Sequence, residues 1–121
     1  MATFSKTLLS ASISGKQVPI MYSGSFPTGG VSGSMVHLCG GSPNALDEIY
    51  IYCQNNTSGT DATVLLLWGG TSSGDMMFAP VPSQNGRVLL TDGKLLMSGL
   101  SVTAFSNLSG CSFDGFVNRL S

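Results

Sequence analysis

The chain has 121 residues, of which 42% are hydrophobic and only 9% are charged, with a net charge of −1. This length suits one domain with a single core, and the low charge compares with about 25% in an ordinary soluble protein. Five Lys and Arg residues are too few to neutralise a phosphate backbone, so direct nucleic-acid binding is not expected. The longest apolar run, residues 64–68, is far short of the roughly 20 residues of a membrane helix, so no membrane partner is expected.

A surface built from Ser, Thr, Asn and Gly has few charges to keep copies apart, which suits a protein that packs against neighbours. The alternative is a small neutral domain without such neighbours. The amino terminus lacks the basic, apolar and small-residue succession of a secretory leader. Cys39, Cys53 and Cys111 are therefore expected to be reduced core residues rather than a disulfide framework.

The N-terminal third of the chain has a less regular pattern. After it, residues 45–53 form the clearest predicted strand. In this strand Ile49, Ile51 and Cys53 alternate with Glu48, Tyr50 and Tyr52, which places the two sets on opposite faces. Asp47 and Glu48 likewise point to opposite faces and cannot share one site. If the isoleucines face the core, the two tyrosines face outward, where they either contact another subunit or merely cap the sheet.

Residues 62–68 are the next predicted strand, and 45–53 and 62–68 are expected to form an antiparallel pair. The run Val64-Leu65-Leu66-Leu67-Trp68 is apolar on both faces, so one face should meet the core and the other a partner. Shorter β-like runs follow at 76–79, 87–91, 95–97, 100–105 and 111–117. Asp92-Gly93 is predicted to be a tight turn between two of them.

The fold class predicted from these runs is all-β: a single-domain β-sandwich or jelly roll with about seven or eight short antiparallel strands. Residues 1–33 would supply N-terminal strands near 7–13 and 18–22 and a Gly/Ser-rich extended arm at 23–34, and residues 34–121 would form the sandwich core. A segment as rich in glycine as 23–34 does not pack alone and is expected to lie along another subunit.

No catalytic, metal or cofactor site is predicted. His37 is the only histidine, and His37 and Cys39 would lie about 7 Å apart on one face of a strand, too far for a nucleophile and its base. The expected role of His37 is that of a strand residue with a hydrogen-bonded ring. The cysteines lack the paired spacing of zinc ligands. We therefore expect a protein that is not an enzyme.

Six short motifs in a fixed order resemble a family of small bacteriophage virion proteins of the head decoration, or cement, type. The likeness covers residues 8–120, except that residues 23–34 are longer and richer in glycine and Cys39 follows His37-Leu38. The motifs are residues 9–16, Met35-Val36-His37-Leu38, Asp47-Glu48-Ile49-Tyr50-Ile51-Tyr52 with Asn56-Thr57, Leu66-Leu67-Trp68-Gly69-Gly70-Thr71, residues 99–105 and Gly115-Phe116-Val117-Asn118-Arg119-Leu120.

The resemblance implies a virion structural protein, made in the host cytoplasm, that decorates the capsid surface. It would bind the major capsid protein, bridge its subunits and form a small cyclic homo-oligomer, a trimer being favoured. The contact residues we expect are Tyr50, Tyr52 and Phe116, with Arg119 pairing with a carboxylate across an interface. The alternatives are a tail, neck or fibre-attached component, and a carbohydrate-binding β-sandwich with an exposed aromatic platform.

Overall fold

A computed structural model describes residues 4–12, 15–26, 33–40, 45–84 and 86–120. Over these residues the chain forms ten strands, one 3-10 turn at Ser73–Asp75 and no α-helix. The strands are β1 (Phe4–Leu8), β2 (Val18–Pro19), β3 (Met21–Tyr22), β4 (Ser34–Leu38), β5 (Leu46–Asn55), β6 (Ala62–Trp68), β7 (Met76–Val81), β8 (Val88–Met97), β9 (Ser101–Ser106) and β10 (Cys111–Leu120).

The strands form two five-stranded sheets. Sheet A has the order β1-β10-β5-β8, with β2 also on β10, and sheet B has the order β3-β9-β6-β7, with β4 also on β9. The predicted all-β sandwich is confirmed. It has ten strands rather than seven or eight because β2 and β3 are two-residue segments, and β3 pairs with β9 in parallel rather than antiparallel.

The core lies between the sheets and follows the alternation of the strands. Ile49, Ile51 and Cys53 of β5 are fully buried and pack with Val64 and Leu66 of β6, as expected from side chains that alternate across a strand. All three cysteines are free and buried, and burial raises the pKa of the Cys39 thiol to about 11. The predicted core position of the three cysteines is therefore confirmed.

The N-terminal strands are shared between the two sheets. β1 and β2 pair with β10 in sheet A, whereas β3 pairs with β9 in sheet B. The strand predicted near residues 7–13 is misplaced, because β1 spans Phe4–Leu8 and residues 9–12 are not in a strand. Of the predicted arm, residues 27–32 lie outside the described residues.

The expected pairing of 45–53 with 62–68 is wrong, because β5 belongs to sheet A and β6 to sheet B. The Asn55 side chain holds the connection between them. Its amide nitrogen donates to the carbonyls of Thr60 and Val81, and its carbonyl accepts from the Thr57 N–H. The buried amide thus fixes an arch from one sheet to the other where the turn-rich sequence predicts a hairpin.

The tight turn predicted at Asp92-Gly93 is also wrong, because β8 runs unbroken from Val88 to Met97. Gly93 has a φ of 77° and falls where the register between β5 and β8 shifts between Ile49 and Tyr50. A glycine in the left-handed region is the usual residue of a bulge in an antiparallel pair. Gly93 therefore bends an edge strand instead of ending it.

Candidate interaction surface

The outer face of sheet A, called here the aromatic face, carries the outward residues of β1, β10, β5 and β8. Register places Phe116 opposite Tyr50 and Asp114 opposite Tyr52, and these residues are half-buried. Three of the four predicted contact residues are therefore brought together on one face. Around them, the apolar members of the face are Leu8, Leu46, Leu89, Leu95, Met97 and Leu120.

A row of packed side chains crosses all four strands of the aromatic face. The rings of Tyr50 and Phe116 stack with their centres 4.6 Å apart and 12° between their planes. The Lys6 ammonium lies 4.3 Å from the centre of the Phe116 ring. On the other side, a Cβ added at Gly93 would lie 3.0 Å from the Tyr50 hydroxyl. The bulge glycine therefore makes room for the tyrosine ring.

In a second row of the aromatic face, the Arg87 guanidinium packs over the Tyr52 ring. The Arg87 guanidinium lies 3.9 Å from the centre of the Tyr52 ring and pairs with the Asp114 carboxylate at 3.0 Å. Guanidinium groups stack readily on aromatic faces and bind carboxylates at the same time. Both rows are consequently ordered by contacts within the chain, and they present ring edges and aliphatic side chains outward.

The aliphatic residues of the aromatic face are unusually exposed for their type. Leu95 and Met97 are each 56% exposed and Leu89 is 44% exposed. Strands β10, β5 and β8 have ten residues each and are about 34 Å long, whereas β1 has five and is about 17 Å long. At a spacing of about 4.8 Å the four strands give a face of roughly 600 Å². This area approaches the roughly 800 Å² that each partner contributes to a standard protein interface.

The outer face of sheet B is covered differently. Leu65, Leu67 and Phe105 form a buried cluster against which Phe26 and Met76 pack. Phe26 also contacts Phe78 edge-on, with ring centres 5.6 Å apart. The second apolar face of residues 64–68 was expected to meet a partner, and the structure instead covers it with residues of the same chain.

Three strand edges, those of β8, β7 and β4, are blunted, which limits strand addition there. β8 has register shifts at two places, and the Trp68 indole donates to the Leu95 carbonyl at 3.0 Å. β7, the far edge of sheet B, contains Pro80, a residue that lacks a backbone N–H and is confined to edge strands and bulges. The free side of β4 is covered by Ser10, whose hydroxyl bonds both the N–H and the carbonyl of Leu38.

Arg119, the fourth predicted contact residue, lies on the inner side of sheet A. Its guanidinium donates two hydrogen bonds, of 2.8 and 2.9 Å, to the two oxygens of Asp47. Asp47 is fully buried, and its second oxygen also lies 2.6 Å from His37 Nε2. The carboxylate partner of Arg119 in this structure is thus a residue of its own chain rather than one across an interface.

The group formed by Ser10, His37, Asp47 and Arg119, called here the polar corner, joins the two sheets. His37 lies on β4 of sheet B, while Asp47 and Arg119 lie on β5 and β10 of sheet A. Burial alone would raise the pKa of Asp47, but hydrogen bonds from Arg119 and His37 outweigh it and hold the pKa below its ordinary value. The predicted hydrogen-bonded ring of His37 is confirmed.

Ser10, His37 and Asp47 are hydrogen-bonded in the same succession as the serine, histidine and aspartate of a hydrolytic triad. The other bonds of Ser10 decide whether they can act as one. Ser10 Oγ lies 2.9 Å from His37 Nδ1, but the Ser10 backbone N–H donates to the same nitrogen at 3.1 Å. A general base needs that lone pair free for the hydroxyl proton. In addition, Ser10 Oγ bonds Leu38 in two ways. These competing bonds favour a structural role.

Metal-ligating groups of three or more His, Cys, Asp or Glu side chains are not found among the residues that the structure describes. Within the same ranges there is no pocket and no helix long and apolar enough to cross a membrane. The outer faces of the sheets, with their exposed apolar side chains, are the candidate sites of interaction.

No family model matches the chain, and a search of the curated proteins found no match. The fold and its surfaces define the class of protein: a small all-β sandwich in which the outer face of sheet A carries an ordered aromatic row.

Sequence reasoning missed Lys6, Arg87 and Gly93 on the aromatic face and the roles of Asp47 and Ser10 in the polar corner. One signal was present for Asp47, which is in phase with Ile49 and Ile51 and must share their buried side. A buried carboxylate requires a cation or hydrogen-bond donors. The sequence does not show which of five basic residues supplies them.

Proposed function

We propose that this protein is a bacteriophage capsid decoration protein that binds the outside of the shell through its aromatic face. It forms a small cyclic homo-oligomer, a trimer, and bridges adjacent subunits of the major capsid protein. The phage assignment is supported by the six ordered motifs. The docking surface is supported by one observation above all: exposed aliphatic side chains surround an ordered aromatic row on an otherwise sparsely charged chain.

The physical basis of the activity is binding energy distributed over many copies. A face of roughly 600 Å² gives a modest affinity by itself, but an oligomer that engages several shell subunits at once binds much more tightly. Bound protein stabilises the assembled shell over its separated subunits by mass action. Because the aromatic rows are held by contacts within the chain, little side-chain freedom is lost on docking.

Contacts within the chain argue against the carbohydrate-binding alternative. A sugar ring stacks on a free aromatic face, yet Phe116 has Lys6 on one face and Tyr50 on the other. Tyr52 is covered by Arg87. Trp68 has the Lys94 ammonium 5.5 Å from its ring centre. Tyr50, Tyr52 and Trp68, the candidate platform residues, thus each already contact an aromatic or cationic group of the same chain.

The surface assignment is tested with matched methionine variants on shells lacking this protein. Met97 lies on the aromatic face and is 56% exposed, whereas Met21 lies on the outer face of sheet B and is 47% exposed. Met97→Glu should weaken shell binding at least tenfold, because docking would bury an unpaired carboxylate. Met21→Glu should bind as the unmodified protein does. Equal binding by both variants would contradict the proposed surface.

The capsid assignment has its own measurement, the copy number per particle by quantitative mass spectrometry. A decoration protein should be present at hundreds of copies, on the order of the major capsid protein. A few to tens of copies would instead support the tail, neck or fibre alternative. Specific binding on a glycan array that is lost in Tyr50→Ala would favour the carbohydrate-binding module.

A further inference from the structure

The polar corner contains the only histidine of the chain, and it lies between two parts of the fold. On one side His37 meets Ser10, in the connection that follows β1, and on the other side it meets Asp47 of β5. Ser10 in turn is the residue that covers the free edge of β4 through Leu38. His37 therefore links the covering of this edge to a buried carboxylate.

The hydrogen bonds fix which ring nitrogen carries the proton. A backbone N–H can only donate, so the Ser10 N–H at 3.1 Å makes Nδ1 an acceptor. Nε2 must then carry the proton that is donated to Asp47 over 2.6 Å. His37 is 2% exposed, so this neutral form is enclosed by protein. A second proton at Nδ1 would point directly at the Ser10 N–H.

The charges around His37 do not favour a second proton strongly. Burial lowers the pKa of His37, and Asp47 opposes that effect with its hydrogen bond and charge. Arg119 acts in the same direction as burial and already binds both oxygens of Asp47. Among the described residues, the remaining titratable neighbour is Cys39, whose raised pKa keeps the thiol neutral.

We propose that the Ser10–His37 contact is an acid-sensitive latch that releases Ser10 from the edge of β4 when His37 is protonated. In the closed latch, a proton on Nδ1 would face the Ser10 N–H and would have to displace it in order to bond the Ser10 Oγ, 2.9 Å away. In the open latch, Nδ1 meets water and takes up one proton. The Ser10 N–H and the backbone groups of Leu38 are then freed together. This device is independent of capsid binding.

The sign of the pH dependence follows from proton linkage. The open form takes up the proton at the ordinary histidine pKa of 6.5, and the closed form only at a lower pH. The open population should therefore rise about tenfold per pH unit below 6.5, because each opening binds one proton. The rise ends where the closed form itself becomes protonated. Above pH 6.5 the latch should not respond to pH.

Amide hydrogen exchange on the full chain, corrected for the intrinsic rate, measures the opening directly. The amides of Ser10 and Leu38 should lose protection about tenfold per pH unit between pH 6.5 and 5.5, while amides in the centre of β6 stay constant. The ring signals of His37 are unique in this chain and give its pKa by NMR. A ring pKa at or above 6.5, or protection at Ser10 that does not change, would overturn the latch.

His37→Gln is the control variant, since its amide can accept from the Ser10 N–H and donate to Asp47 without titrating. Its Ser10 and Leu38 protection should be independent of pH over the same interval. An unchanged slope in His37→Gln would assign the pH dependence to another group and refute the proposal. If this variant does not fold, the ring titration and the exchange slope of the unmodified protein decide the question by themselves.

Discussion

The outer faces of the two sheets carry similar apolar side chains, but they differ in what covers them. On sheet B, Leu65 and Phe105 are buried, and Phe26, which follows β3 in the chain, packs against their cluster. On sheet A, Leu95 and Met97 remain more than half exposed. Around that covered centre, sheet B still exposes Phe78 (59%) and Met21 (47%). Burial of apolar side chains within the chain is therefore complete only at the centre of sheet B and partial elsewhere on both faces.

An apolar pattern along a strand therefore does not by itself show whether the outward side chains are covered or exposed. The run at 64–68 is the most hydrophobic in the sequence, yet its outward residues Leu65 and Leu67 are already covered. The aromatic face is built from exposed aliphatic residues scattered along β8 and from half-buried aromatic residues on β5 and β10. Large exposed apolar patches of this kind commonly mark interaction sites.

The largest expected effect is a difference in unfolding free energy between alanine substitutions of one phenylalanine on each face. Phe105→Ala should lower the free energy of unfolding by about 3–4 kcal/mol, since a fully enclosed ring leaves a cavity. Phe116→Ala should cost about half as much, because its ring is only half-buried. Urea denaturation of both variants measures the difference. Equal losses would mean that the aromatic face is as enclosed as the outer face of sheet B.

A smaller effect tests the row that orders the aromatic face. Gly93→Ala should cost about 2 kcal/mol, of which about 1 kcal/mol is strain at positive φ. Gly59 has nearly the same φ, 76° against 77°, but nothing within 4 Å of an added Cβ. Gly59→Ala should therefore show the strain alone. If the two substitutions cost the same by thermal or urea unfolding, Gly93 does not make room for Tyr50.

The smallest effect concerns the cation on the aromatic row. Lys6→Ala should lower the free energy of unfolding by about 0.5 kcal/mol, the usual size of an exposed cation–π contact. Lys16 is an exposed lysine outside this face, and Lys16→Ala should leave stability unchanged. A loss of 2 kcal/mol or more in Lys6→Ala, measured in the same urea series, would show that the lysine has a larger structural role.

The sequence by itself determined the all-β class, the inward and outward residues of β5 and the core position of the cysteines. These features are local, because side chains alternate along any strand and glycine-rich turns end helices and strands wherever they occur. The same alternation placed Tyr50 and Tyr52 outward and Asp47 inward, in agreement with the structure.

Only the tertiary structure decided which strands are neighbours. β5 and β6 follow one another in sequence but lie in different sheets. Phe116 lies opposite Tyr50 although the two residues are 66 positions apart in the sequence. The polar corner likewise joins Ser10, His37, Asp47 and Arg119 from four separate segments. Long-range pairing depends on the packing of the whole chain, and no local pattern carries that information.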